Sequence, residues 1–161
     1  MAAATSGTAV VTLPADDQIL ITREFDAPKH LVYKAYTTPD LVRRWWAGKR
    51  GAVTSCEIDL RVGGKWRYVM NAQGGFEVSF HGEFREIVPD ERIVTTEVFE
   101  GAPDAEVVNI VTFTEAGGRT RLELLTQCPD QATRDAIMGS GMEVGMQEGM
   151  DILEQVAIEL R

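Results

Sequence analysis

The C-terminal stretch Met138 to Leu160, MGSGMEVGMQEGMDILEQVAIEL, constrains what the rest of the chain can do. At helical spacing Met138, Met142, Met146, Gly149, Met150, Leu153, Val156, Ala157 and Leu160 share one broad apolar stripe. Glu143, Gln147, Glu148, Asp151, Glu154 and Glu159 lie mostly opposite. A helix over this stretch spans about 35 Å at 1.5 Å per residue, so it needs a partner surface along its whole length. Its first half is glycine-rich, and Gly139, Gly141, Gly145 and Gly149 each cost up to about 1 kcal/mol relative to alanine in a helix interior. Such glycines let another backbone approach closely or leave space beside the helix. The methionines between them fill irregular space without fixing one shape. The stretch predicts a helix anchored from Ile152 to Leu160, with either a methionine core or a hollow along its N-terminal half.

The partner surface comes from the middle of the chain. From Ala52 to Thr126 the pattern is β throughout, with turns at intervals. TSCEIDL (54–60), KWRYVMN (65–71), 76–88, 92–99, 107–114 and 120–127 read as strands joined by short turns, which predicts an antiparallel meander. In the second of these Trp66, Tyr68 and Met70 share a face; in the third Phe80 and Phe84 oppose His81, Glu83 and Arg85. Ahead of the meander, QILITREF (18–25) reads as a further strand, followed by two short helices. The first begins at Pro28 and the second at Pro39, with Thr38 as its expected cap. The second ends at Trp45-Trp46, adjacent residues that cannot point the same way, so one is expected in the core and the other at an edge or opening. No strand-helix-strand alternation occurs in the β region, which disfavours a parallel nucleotide-binding sheet. Residues 1–16 carry no periodic pattern and are expected to be a flexible arm, with a single domain over 17–161.

Charge and cysteine usage exclude several partners. With a formal charge of −9 there is no basic stripe for nucleic acid or an anionic membrane surface. No apolar run is long enough to span a bilayer, and the N-terminus lacks the basic region of a signal peptide. Cys56, Cys128, His30 and His81 have no metal-ligand spacing, so no metal is expected; the plain reading of the cysteines is two free thiols in a reducing cytoplasm, with a single disulfide left open until geometry decides. No phosphate-cradling or nucleophile motif appears, and no cofactor is expected.

FDAPKHLVYKAYTTPDLVRRWW, CEIDLRVGGKWRYVM, HGEFREIVPDERIVTTE, GGRTRLELLTQ and RDAIMGSGMEVGMQEGMDILEQV together resemble the START/Bet v-like (SRPBCC) superfamily over roughly residues 18–160. More closely they resemble the branch related to the activator of the ninety-kilodalton heat-shock-protein ATPase. The resemblance implies an α+β helix-grip fold: an antiparallel sheet of about six strands around a long C-terminal helix, with two small helices closing one end. It also implies a deep apolar cavity for lipids, polyketides or other small hydrophobic molecules. Relatives include ligand carriers, cyclases and a co-chaperone domain, so fold alone does not name the function. Many members carry an aromatic residue in the long helix where this chain has Met146 or Met150.

The leading expectation is a binder of a small hydrophobic molecule, held between the sheet and the Met142–Leu153 part of the helix. Its expected lining is Trp46, Trp66, Tyr68, Phe80, Phe84, Glu97, Met142, Met146, Gly149, Met150 and Leu153. A second reading is a cyclase- or hydratase-like enzyme using His81, Glu97 or Tyr68 as acid and base. His81 would serve near neutral pH if it faced the cavity, and a buried Glu97 would have a raised pKa. Against this, His81 falls beside Glu83 and Arg85 on an outer face with Glu97 paired to an arginine, and that arrangement is the expectation. Arg67, Arg85 and Arg121 are read as outward partners of strand carboxylates rather than as anchors for a ligand carboxylate. A third reading is an accessory protein docking on a chaperone. A homodimer is compatible with all three.

Overall fold

The computed structural model describes residues 8–72 and 74–161. Its elements are β1 (Val10–Thr12), β2 (Gln18–Phe25), α1 (Lys29–Thr37), α2 (Pro39–Trp45), β3 (Gly51–Ile58), β4 (Lys65–Ala72), β5 (Glu77–Val88), β6 (Arg92–Phe99), β7 (Val107–Ala116), β8 (Arg119–Gln127), α3 (Gln131–Gly139) and α4 (Met142–Glu159). The strands form one open antiparallel sheet in the order β1-β2-β8-β7-β6-β5-β4-β3. The meander runs from β3 to β8, and β2 joins its end by pairing with β8, Ile19 opposite Thr126 and Phe25 opposite Thr120. Irregularities between Val53 and Ser55 and between Phe84 and Glu86 interrupt the ladders; bulges of this kind bend a strand.

One face of the sheet carries the core. Ile19, Ile21 and Phe25 of β2, Leu122 of β8 and Phe113 of β7 pack with Val32 and Ala35 of α1 and with Met150, Leu153, Val156 and Ala157 of α4. Arg23 stands among them on β2, only 3% exposed, because its guanidinium reaches Asp151 of α4 at 2.8 Å and lies over the Phe25 ring at 4.7 Å. That ion pair and stacking offset the desolvation of a charge inside the sheet-helix interface.

Several expectations are corrected. The sheet has eight strands rather than about six. Part of the difference is β1, inside the stretch expected to be a flexible arm: Val10 pairs with Thr22 and Thr12 with Leu20, and Ala9 and Val11 are buried. A three-residue strand is too short to show a period, so the sequence did not announce it; residues 1–7 lie outside the described residues.

The terminal helix is also not continuous from Met138. Gly141 adopts φ +83°, a left-handed conformation that ends the α-helical path, so α3 stops at Gly139 and α4 starts at Met142. Gln147, placed with the polar residues by its type, is 6% exposed because its amide bonds the backbone of Ala9. Thr38 makes no side-chain capping bond; Pro39 at the first helical position has no N–H to satisfy, and the Leu41 and Val42 amides donate to the Thr38 carbonyl.

Gly149 answers the question raised by the glycines of α4. A Cβ there would stand 2.9 Å from the Trp45 carbonyl oxygen, so this glycine admits the end of α2 against α4 rather than leaving a hollow.

Candidate functional site

A space walled by aromatic residues lies on the same face of the sheet, beneath α1 and α2. It is a cavity of about 70 Å³. Period-2 alternation aims Trp66 and Tyr68 of β4, Phe84 of β5, Ile93, Thr95 and Glu97 of β6, and Asn109 and Val111 of β7 into it, with Ile58 at the end of β3. Tyr36 and Thr37 of α1, Trp45 at the end of α2 and the next residue, Trp46, close it. Both tryptophans reach it, with different roles. Trp45 is buried, its indole N–H donating to the Ala35 carbonyl at 2.9 Å. Trp46 is half-buried and packs edge-on to Tyr68 and Phe80, ring centroids 5.3 Å apart in each case.

The polar end is built by three adjacent strands. Asn109 Nδ2 donates to Glu97 Oε1 at 3.0 Å, and Thr126 Oγ1 of β8 donates to Asn109 Oδ1 at 2.8 Å, which orients the amide with its NH₂ toward the carboxyl. Burial raises the Glu97 pKa, and the Asn109 bond only partly offsets it. Burial likewise raises the Tyr36 and Tyr68 phenols, with Glu97 adding to both. These hydroxyls therefore stay protonated at neutral pH.

Of the residues singled out from the sequence, Trp46, Trp66, Tyr68, Phe84 and Glu97 line this cavity. Phe80 lies beside it, packed between the edge-on Trp46 ring and Phe99. Met142, Met146, Gly149, Met150 and Leu153 do not line it; Met150 and Leu153 are in the core, Met142 and Met146 are half-buried against that core, and Gly149 is filled by the α2 backbone. His81 is not in it either. It projects from the opposite face of β5, where its Nδ1 lies 2.9 Å from Glu100 Oε2, while Arg67 grips both Glu100 oxygens at 2.9 Å. These two partners hold the Glu100 carboxyl down to about 2. The pairing of Glu97 with an arginine is thus corrected: its partner is an amide, because strand alternation puts Arg67 and Arg85 on the other face. Sequence reasoning missed Tyr36, Asn109 and Thr95. Asn109 was findable as a lone amide among the apolar residues of VVNIVTF.

Among the described residues, no group of three His, Cys, Asp or Glu side chains is placed to hold a metal ion, and no helix is long and apolar enough to cross a membrane.

An antiparallel sheet packed on a long C-terminal helix, with short helices closing an aromatic cavity, defines a helix-grip protein of the START/Bet v-like (SRPBCC) class, a ligand-binding fold. The family model described as "Activator of Hsp90 ATPase homolog 1-like protein" matches residues 26–157, and the chain belongs to that family. Solved structures agree on the fold. A protein from Rhodobacter sphaeroides superposes with TM-score 0.87 at 20% identity, over 94% of this chain and 99% of that one. One from Arthrobacter aurescens gives 0.84 at 23%, over 94% and 92%, and one from Nitrosomonas europaea 0.81 at 22%, over 92% and 98%. No curated protein matches the chain.

Proposed function

We propose that the protein binds a small, mainly apolar molecule in the cavity beneath α1 and α2. The observation that carries this reading is Glu97, an ionisable group held by Asn109 at the edge of a space walled mainly by aromatic and aliphatic residues, with Thr37 and Thr95. Protein interiors normally fill such space. At about 24 cal/mol per Å³, leaving 70 Å³ open costs on the order of 1–2 kcal/mol, and burying a carboxyl adds to that. A bound molecule would offset both.

Size sets the ligand class. At about 10–15 Å³ per water, the space of about 70 Å³ takes about five to seven waters, hence a molecule of about five to seven non-hydrogen atoms. A whole lipid or polyketide needs several hundred Å³. The acid–base alternative has lost His81 to the opposite face, and Glu97 is hydrogen-bonded to Asn109 rather than to Tyr68.

The test is a thermal-shift screen with fragments of that size on the wild type and on Val111→Phe, which fills the cavity from β7. Hits should raise the wild-type melting temperature and leave Val111→Phe unmoved. Equal stabilisation of both proteins would place the binding elsewhere and sink the reading.

A further inference from the structure

The cavity is chemically one-sided. None of its thirteen lining residues is Lys, Arg or His, and Glu97 is the one carboxyl among them. Much of its donor capacity is committed: Trp45 Nε1 to the Ala35 carbonyl, Trp66 Nε1 to the Thr96 carbonyl at 3.1 Å, Thr37 Oγ1 to the Tyr33 carbonyl at 2.8 Å, and Asn109 Nδ2 to Glu97. What faces a ligand is mainly six aromatic residues, Tyr36, Trp45, Trp46, Trp66, Tyr68 and Phe84, with Ile58, Ile93, Val111 and the Thr95 hydroxyl beside them and a carboxyl that Asn109 engages at Oε1.

Each ligand class can be weighed against that inventory. An anion would meet a carboxyl with no Lys, Arg or His side chain in the lining to pair it. A hydrocarbon would fill the space but leave Glu97 without a ligand partner. A small cation satisfies both, because ring faces attract positive charge most strongly when water is excluded, and a carboxylate supplies the counter-charge.

We propose that the ligand is a small organic cation, an alkylammonium or quaternary ammonium group, enclosed by the aromatic residues with Glu97 as its counter-ion. This inference rests on the ligand-binding reading above and adds the chemistry of the ligand to it.

The proposal carries a proton balance. With the cavity empty, burial keeps the Glu97 proton on above the ordinary carboxylate range. At pH below that raised value an entering cation turns the carboxyl into a carboxylate and the proton leaves to solvent, so charge in the cavity is conserved. The other titratable groups of the lining do not interfere, since Tyr36 on α1 and Tyr68 on β4 are raised; Cys56, opposite Tyr68 in the β3–β4 ladder and near Asp40 and Arg43 of α2, is pushed up to about 11. Affinity for a quaternary ammonium should therefore rise with pH, by up to about tenfold per unit below the raised Glu97 value and level off above it.

The experiment is isothermal titration of the full chain with choline and with its uncharged isostere 3,3-dimethylbutan-1-ol, on wild type and on Glu97→Gln. The expected result is choline binding at least about tenfold tighter than the alcohol to wild type, with proton release, and the preference vanishing in Glu97→Gln. Equal binding of the two compounds, or a preference for the alcohol, overturns the cation assignment while leaving a ligand site in the cavity. Binding of neither also overturns it, and the fragment screen with Val111→Phe decides the ligand-binding reading independently. The comparison within wild type keeps the test decisive even if Glu97→Gln folds poorly.

Discussion

Gln147 of α4 grips both backbone polar groups of Ala9: its Oε1 accepts from the Ala9 N–H at 3.0 Å and its Nε2 donates to the Ala9 carbonyl at 2.8 Å. A side-chain amide thus does for Ala9 what a neighbouring strand would do, 138 residues away in sequence. Removing it as Gln147→Ala leaves two buried backbone groups without partners, each worth about 1–3 kcal/mol if it stays dry. Fraying of a short edge strand relieves part of this, so the expected loss is about 2 kcal/mol, or roughly 4–8 °C in melting temperature. Hydrogen exchange should accelerate at Ala9–Thr12 before it does elsewhere. Unchanged exchange there would show that β1 is held without this contact.

Two glycines should respond in opposite directions to alanine. Gly149→Ala gains up to about 1 kcal/mol of helix propensity but drives a methyl against the Trp45 carbonyl, an overpacking penalty of about 1–3 kcal/mol. A net loss is expected. Gly139, at the end of α3, has nothing within 4 Å of an added Cβ, and Gly139→Ala should stabilise by about 0.5 kcal/mol. Urea denaturation of both variants checks the pair; stabilisation by Gly149→Ala would mean that α2 is free to move off the helix.

Glu97 of β6 and Glu100, just past the end of β6, should give pH effects of opposite sign. Glu97 has its folded pKa raised, so its favourable contribution is full below the unfolded value near 4.5 and is lost as pH climbs through the folded value. Glu97→Gln keeps the Asn109 contact and should gain stability relative to wild type as pH rises above the unfolded value near 4.5 and through the raised folded value. Glu100 has its folded pKa lowered to about 2, so its contribution is present above 4.5 and is lost as pH falls toward 2. Glu100→Gln should therefore destabilise at neutral pH and converge on wild type in acid. Denaturation midpoints across pH decide; parallel curves for Glu97→Gln and wild type would contradict a buried, raised carboxyl.

Cys56 and Cys128 are buried, and burial raises both thiols, Cys56 to about 11. The thiolate is the reactive form, so neither should react appreciably with Ellman's reagent in the folded protein, and both should react on denaturation. Rapid native labelling of Cys56 would indicate that the α2–β3 contact opens.

The helix-grip order was legible in the sequence because period and punctuation are local signals. Ile19, Ile21 and Arg23 alternate along β2 and lie on one face as read, and β2 itself runs over the expected residues 18–25. Trp66, Tyr68, Phe84 and Glu97 were found because aromatic residues on one strand face, and a carboxylate among apolar neighbours, stand out without knowledge of their partners. The family resemblance pointed to the same architecture.

What only the tertiary structure decided is who meets whom. Whether Gly149 marks a hollow or a contact depends on the Trp45 carbonyl, which comes from another helix. Asn109, rather than an arginine, holds Glu97 because β6 and β7 set them on one face while the arginines of β4 and β5 project from the other. Gln147 is buried because Ala9 reaches it from the far end of the chain. The composition of each segment follows from its own residues; the cavity under α1 and α2 follows from long-range packing, for which a single strand or helix carries no local signal.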